Sequence, residues 1–411
     1  MLIKHYLCLS LVIGVAYLAS CAPNPYAKAQ KHYYKCEPAM AEEVLAPLVE
    51  EEQSKDGKMK NLYLWDLGVY RFSQGNYEGA ITCFMESVRD KEKIHDGGKT
   101  AKAILTDTKE QKYVGDPVEV SIAYLYLGLA FYMNGDYQNT LVALRRSIEE
   151  DLSKDDSRQG DMAVTNYILA EAFWRVGKYD DAAVAYRRAL EHSADLVPAY
   201  IGLYHAMRVL GKTADEERIL DEIKKRVDED FFEAVSDSAG AQGISFVLFT
   251  GRPSKVERIS AFRKRKEIKQ KTPGWRMSCG IAGKQDVNLF LADKMHDHLT
   301  DQGGLSDELR QQTTRAVTGT VMKQIPFVSF FAPSTEADIR YWPTMPGYVY
   351  IGYYPAEPGI HQLSLIGCGK NGALIPGCTW SWEDVEVEEG KRKLVVVNGC
   401  YTLSQPVDKK K

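Results

Sequence analysis

One short frame recurs through the middle of the chain, and this periodicity constrains the fold more than any other feature. Leu64-x-x-Leu67-Gly68 is followed by Gly75-Asn76-Tyr77, Ala80 and Phe84. Tyr124-x-x-Leu127-Gly128-x-x-Phe131 leads to Gly135-Asp136-Tyr137, and Leu169-Ala170-x-x-Phe173 to Gly177-Lys178-Tyr179, Ala182 and Tyr186. The residue types state a geometry. A Gly or Ala inside an apolar helix allows a second helix to approach closely, and a Gly at the end stops that helix. The Tyr two positions on starts the return helix. Gly177 and Gly211 lie about 34 residues apart, one helix pair, so a degenerate fourth unit follows with Thr213 and Glu216 replacing Tyr and Ala. Longer spacings earlier place insertions near Arg89–Val118 and Asp151–Gly160. Ala39–Glu52 reads as a lone helix capping the other end.

The frame resembles the tetratricopeptide pattern. Such arrays use the concave face lined by their first helices to hold segments of partner proteins. Helical phase puts Trp65, Phe72, Tyr132, Trp174, Arg175 and Arg208 on that face. Aromatics and Arg carry binding energy disproportionately, so these six are the candidate partner-binding residues. Packing between neighbouring units is the competing role for each.

After the acidic helix ending near Asp230 the period changes. Ile244–Thr250 is a continuous apolar run, Tyr348–Tyr353 and Ile360–Ile366 alternate, and Val385–Val397 reads as a hairpin about Glu389-Gly390. Glu386 and Glu388 would face Lys391 and Lys393 across that hairpin. Leu291–Lys323 reads as one or two amphipathic helices broken at Gly303-Gly304. The expected fold class is α+β: a helical repeat array over 58–235, then a strand-rich, sandwich-like domain over 236–411.

Ala337-Asp338-Ile339-Arg340-Tyr341-Trp342-Pro343-Thr344-Met345-Pro346, then Pro358-Gly359-x-His361-x-Leu363-x-Leu365, resembles the C-terminal signature of an uncharacterised family of bacterial repeat-containing envelope lipoproteins. Leu105-Thr106-Asp107 and Tyr113-x-Gly115-x-x-x-Glu119 are similar to that family's linker into its second repeat. The resemblance implies an envelope location and a two-part build, and no reaction or ligand. The strand near Tyr348 and the Cys368–Cys378 loop fall outside its pattern. Physically, Trp342 is a buried anchor, Asp338 and Arg340 bond backbone or each other, and the prolines set the turn into the next strand.

The N-terminus supplies a location. Lys4 and His5 precede a short apolar run from Tyr6 that ends Leu18-Ala19-Ser20-Cys21. The run is shorter than the ~20 residues a spanning helix needs and has the flanks of a secretory signal. Its last four residues resemble the lipobox of bacterial lipoproteins, which implies cleavage before Cys21 and acylation (palmitate among the chains) of that residue. Residues 1–21 are therefore the expected signal and anchor, and 22–57 a tether plus capping helix, with Asn24–Lys35 as a polar leash. Ala22-Pro23, with no acidic residue after the cysteine, points to the outer membrane and a periplasmic setting. A net charge of −4 argues against a nucleic-acid partner. In an oxidising compartment a Cys368–Cys378 disulfide is expected around the turn-rich loop between them, and Cys279–Cys400 is a weaker pairing.

Motifs for chemistry are thin. Gly97-Gly98-Lys99-Thr100 lacks the first glycine and the preceding strand of a phosphate loop. His296-x-His298 beside Asp293 and Asp297 has the wrong spacing for one helix face. No catalytic, cofactor or metal site is expected, and the chain is not expected to be an enzyme. A basic run, Arg263-Lys264-Arg265-Lys266, is diluted by Glu257 and Glu267. The expected role is a membrane-anchored scaffold that binds envelope proteins through its repeats and serves envelope assembly or maintenance. The alternative is a wall- or glycan-binding lipoprotein acting through Tyr348, Tyr350, Trp380 and Trp382 of the sheet domain.

Overall fold

The computed structural model describes residues 24–97, 112–151, 162–236, 242–259, 262–266, 274–280, 285–301, 340–368 and 373–399. Eleven helices come first among them: α1 (Pro25–Tyr33), α2 (Pro38–Ser54), α3 (Lys60–Ser73), α4 (Tyr77–Gly97), α5 (Pro117–Met133), α6 (Tyr137–Asp151), α7 (Ala163–Arg175), α8 (Tyr179–His192), α9 (Val197–Val209), α10 (Thr213–Lys224) and α11 (Glu229–Ser236). The return helices α4, α6 and α8 start on Tyr77, Tyr137 and Tyr179, as the frame requires, and the degenerate unit still forms its pair, α9–α10. Gly75, Gly135, Gly177 and Gly211 end the first helices with φ of 77°, 79°, 76° and 68°, the left-handed stop open to Gly at no steric cost. At Gly68 an added Cβ would lie 2.8 Å from the Phe84 ring, and at Gly128 2.8 Å from Leu144. Both glycines mark the close crossing of the two helices in a unit.

Three features depart from the expected N-terminal half. Asn24–Lys35 is no leash: α1 packs on the array through buried Ala29 and Tyr33, with the Tyr26 ring tilted 4.6 Å from Tyr63 and Tyr33 5.1 Å from Tyr70. The capping helix α2 starts one residue earlier than expected and ends two later, and carries Pro47 inside it. The acidic stretch resolves into two helices, α10 and α11.

The strands are β1 (Gly243–Thr250), β2 (Lys255–Ile259), β3 (Phe262–Lys266), β4 (Gly274–Gly280), β5 (Gln285–Val287), β6 (Leu289–Lys294), β7 (Tyr348–Tyr354), β8 (Gly359–Cys368), β9 (Leu374–Val387) and β10 (Arg392–Gly399), with helix α12 (Met295–Asp301) after β6. They form a sheet of order β10-β1-β7-β6, a second of order β5-β4-β8-β9, and a β2–β3 ribbon that carries the basic run. Leu291–Lys294, expected to be helical, is strand, and 302–323 lies outside the described residues.

The expected Val385–Val397 hairpin is instead an arch between two sheets. β9 pairs with β8, whereas β10 crosses over to lie parallel to β1, with Phe246 beside Val395 and Val247 beside Val396. The turn at Gly390 (φ 69°) looks like a hairpin locally, which is why alternation alone misassigns it. Lys391 pairs with Glu388 within the turn, not across a ladder.

The layers explain the uninterrupted apolar run of β1, which is buried along its whole length. Ile244, Phe246 and Leu248 face the second sheet and pack with Met277, Leu363, Leu365 and Val385. Val247 and Phe249 face the other way, into a core continuous with the helices that also includes Val349, Ile351, Tyr353 and Leu394. A strand covered on both faces cannot alternate. Array, first sheet and second sheet are three stacked layers.

Candidate functional site: a repeat groove filled by the chain's own sheet

The first helices of the repeats, α3, α5, α7 and α9, turn their shared face toward the first sheet, and two polar clusters and one helix cap fasten the contact. The first cluster is built on Trp342, which is fully buried. Its ring lies 5.1 Å from Trp65, 6.0 Å from Tyr126 and 6.5 Å from Phe84. Its indole N–H donates to Asp66 Oδ1 at 2.9 Å, and its backbone N–H donates to Glu119 Oε1 at 3.0 Å. Thr344 donates its hydroxyl to the same Asp66 oxygen. Glu119 is also the third residue of α5, where its other oxygen closes a capping box on the Asp116 N–H at 2.9 Å and accepts the Tyr113 hydroxyl. One side chain thus starts a helix and holds the incoming peptide.

Burial pushes the Asp66 carboxyl up to about 7, against hydrogen bonds from Thr344 and Trp342 that favour its charge. Beside it, Arg340 donates to the Lys58 carbonyl at 3.3 Å and lies 5.5 Å over Tyr113. The Tyr34 hydroxyl donates to the Pro343 carbonyl, and Arg252 lies 4.0 Å over the Tyr34 ring. Asp338 lies outside the described residues.

The second cluster is built on Arg392, at the start of β10 and 3% exposed. Its guanidinium pairs with Glu171 of α7 at 3.1 Å, and donates to the Tyr186 hydroxyl at 2.8 Å and to His205 Nδ1 of α9 at 2.6 Å. It lies 4.5 Å over Trp174, with Tyr186 and Tyr353 at 5.8 and 5.7 Å. Tyr186 in turn donates to Glu171 at 2.7 Å. Burial, then Arg392 and Arg208, holds His205 well below the usual imidazole range, so it is neutral and free to accept at Nδ1. A planar cation meets aromatic faces, a carboxylate and a neutral acceptor, a combination that suits Arg and not Lys.

Between these clusters Tyr126 donates to Asn398 at 3.0 Å, Asn398 donates to Ser73 at 3.1 Å, and Tyr167 donates to Ser245 at 3.0 Å. Asp293 of β6 accepts the backbone N–H groups of Ala163 (3.0 Å) and Val164 (2.7 Å), capping α7 from another layer. This explains the acidic and histidine cluster seen in the sequence: His298 pairs with Asp293 at 2.9 Å, while His296 Nδ1 contacts Ser254 at 2.5 Å. The two histidines serve different partners.

The six candidate partner residues therefore sit differently from the expected open groove. Trp65, Phe72, Tyr132 and Trp174 are buried at 2%, 4%, 8% and 6% exposure. Trp65 donates to Ser87 at 2.9 Å, Phe72 packs edge-on to Tyr77 and Tyr126, and Tyr132 packs edge-on to Tyr137. Trp174 forms a wall of the Arg392 pocket. Arg175 is part-exposed, donating to Tyr137 at 3.1 Å and facing Glu388 of the sheet arch at 3.8 Å. Arg208 reaches Tyr204 at 3.3 Å and Glu216 at 3.9 Å. Of the six, Trp65 and Trp174 meet the chain's own C-terminal half directly, through Trp342 and Arg392.

Tyr348, Tyr350, Trp380 and Trp382, the aromatics of the glycan reading, are each part-exposed. Trp380 and Trp382 stand opposite Leu365 and Leu363 and pack, with Tyr350, against the core between the two sheets. The Cys368–Cys378 bridge is absent, since Cys368 is a buried free thiol, and Cys400 lies outside the described residues.

Sequence reasoning named Glu119 only within the linker resemblance and gave no role to Asp66, Glu171, His205 or Arg392. The available signal was a set of ionisable residues at core positions of apolar helices, where a charge is stable only with a partner.

A tetratricopeptide repeat family model matches residues 122–151, the second unit of the array. No curated protein matches the sequence. Among solved structures, MamA from Desulfovibrio magneticus RS-1 is similar at 12% identity, with 49% of this chain and 95% of that chain covered and a TM-score of 0.37. PilF of Pseudomonas aeruginosa covers 49% of this chain and 74% of its own at 14% identity and TM-score 0.35. YrrB, described as a TPR protein with an unusual peptide-binding site, covers 54% of this chain and 94% of its own at 11% identity and TM-score 0.38. The chain therefore contains a tetratricopeptide repeat at residues 122–151, within an array of similarly built helix pairs.

Proposed function

We propose that this protein is a lipid-anchored interaction scaffold of the bacterial envelope, whose repeat groove holds its own C-terminal sandwich as a fixed second module. Acylation at Cys21, an outer-membrane position and service in envelope assembly or maintenance are the parts of this reading that rest on the N-terminal tetrad and the family resemblance. One observation supports the internal use of the groove above the rest: Arg392, from the far end of the chain, sits in a pocket made by Glu171, Trp174, Tyr186 and His205 of the repeats. A partner protein then meets the outer faces, the return helices and the exposed side of the second sheet. Crosslinking of the full-length chain in its native envelope, with the attachment sites mapped, tests this. Partner attachments on the return helices or the second sheet are expected. Attachments at Trp65, Tyr132 or Trp174 would mean that partners displace the sheet, and would overturn the reading.

A further inference from the structure

Where the fold begins limits how far an anchored body can stand from its membrane. Only Ala22 and Pro23 separate Cys21 from Asn24, whose side chain caps the first turn of α1 by accepting the Tyr26 N–H at 3.0 Å. At about 3.4 Å per residue, a link of that length can reach at most on the order of 10 Å. The helix is itself held to the array by Ala29, Tyr33 and the Tyr26–Tyr63 ring contact, so it is not a free leash. The opposite side of α1 exposes Ala27, Lys28 and Lys31, with Lys35 exposed in the turn that follows. Lys28 and Lys31 are one turn apart and share a face. None of the three lysines makes an ion pair among the described residues, although the chain as a whole is acidic, with net charge −4.

We infer that Lys28, Lys31 and Lys35 form a headgroup-contact surface for anionic lipids of the membrane that holds the Cys21 anchor, so that the array lies against the bilayer at its first helix. The inference rests on the anchor reading. The short link supplies proximity and the lysines supply complementary charge. An amine held within a Debye length, roughly 8 Å, of an anionic surface is attracted by it, with about a fivefold preference per lysine. No described helix is long and apolar enough to span the bilayer, so this contact would orient the body and not insert it.

The test uses the full-length, processed protein in two sets of vesicles, one of phosphatidylcholine alone and one with about a third phosphatidylglycerol. A water-soluble amine-reactive ester is applied, and labelling is read by mass spectrometry at Lys28, Lys31 and Lys35, with exposed Lys212 as the internal reference. The same spectra report the mass of the Cys21 peptide. Acylated Cys21 with the three lysines labelled several-fold more slowly in the anionic vesicles, and Lys212 unchanged, is the expected result. Acylated Cys21 with equal labelling in both vesicles overturns the contact surface and leaves the anchor standing. Unmodified Cys21 overturns both. The triple variant Lys28→Gln, Lys31→Gln, Lys35→Gln gives a second reading. It should keep its anchor and lose the lipid-dependent change in hydrogen exchange along α1, and a retained change would also overturn the inference.

Discussion

Replacing Arg392 with Met keeps an unbranched apolar stem and deletes the guanidinium that lies over Trp174. Glu171, 1% exposed, then loses its ion-pair partner at 3.1 Å, and Tyr186 and His205 lose a shared donor. Breaking a buried pair from one side costs roughly 3–5 kcal/mol, because the remaining charge has neither water nor partner. Glu171→Gln should cost a similar amount for the mirrored reason, while its amide oxygen still accepts the Tyr186 hydroxyl. Removing both charges leaves no orphaned charge, only the neutral His205 acceptor without its donor, so the double variant should lose about 1–2 kcal/mol, far less than the two single losses combined. Urea unfolding of the wild type and three variants at pH 7.5 measures this cycle, with a coupling of about 3 kcal/mol or more expected. Additive losses, with the double variant as weak as both singles together, would show that Arg392 and Glu171 do not meet. The docking of β10 in the groove would then be wrong.

Three further outcomes follow from the array and its interface with the sheet. Asp66 has its carboxyl raised from 3.8 to about 7, so the folded state holds a proton that the unfolded chain releases near pH 4. Its contribution is therefore fully present below pH 4 and is lost as pH rises toward 7, a total of roughly 4 kcal/mol at 1.4 per pH unit. Asp66→Asn, which can still accept from Trp342 and Thr344, should flatten that part of the stability–pH profile measured by urea unfolding; an unchanged slope would refute it. At Gly202 an added Cβ would lie 2.3 Å from the Tyr186 ring, which its bonds to Glu171 and Arg392 hold in place, so Gly202→Ala should cost about 1–3 kcal/mol in thermal unfolding. Gly177→Ala meets nothing within 4 Å and should cost only about 1 kcal/mol, through its positive φ.

Much of the architecture was legible because its causes are local. A glycine stop followed two residues later by Tyr marks helix ends wherever it occurs, and the three copies fell where the helices form. Trp342 was readable as an anchor. Local patterns could not say what it anchors to, because an aromatic face that binds a partner and one that buries a neighbouring layer carry the same residues at the same spacing. The parallel pairing of β10 with β1 joins segments about 150 residues apart, and the turn at Gly390 hid it behind a convincing hairpin. Arg392 was overlooked between Lys391 and Lys393, since an alternating charged run reads as solvated until the layer above it is known. Helix α1 had a signal that was passed over: Tyr26, Ala29, Gln30 and Tyr33 recur at helical spacing beneath a polar composition.

The central claim is that the groove of the array is filled from within the same chain. Phe249 of β1 lies 5.2 Å from Tyr126 of α5, so a photoreactive p-benzoylphenylalanine placed at 249 samples that contact directly. On irradiation in cells, the account predicts a product of unchanged chain mass, with the attachment mapped to α5 near Tyr126. Capture of another protein or of a second copy at position 249, with no attachment to α5, would contradict it.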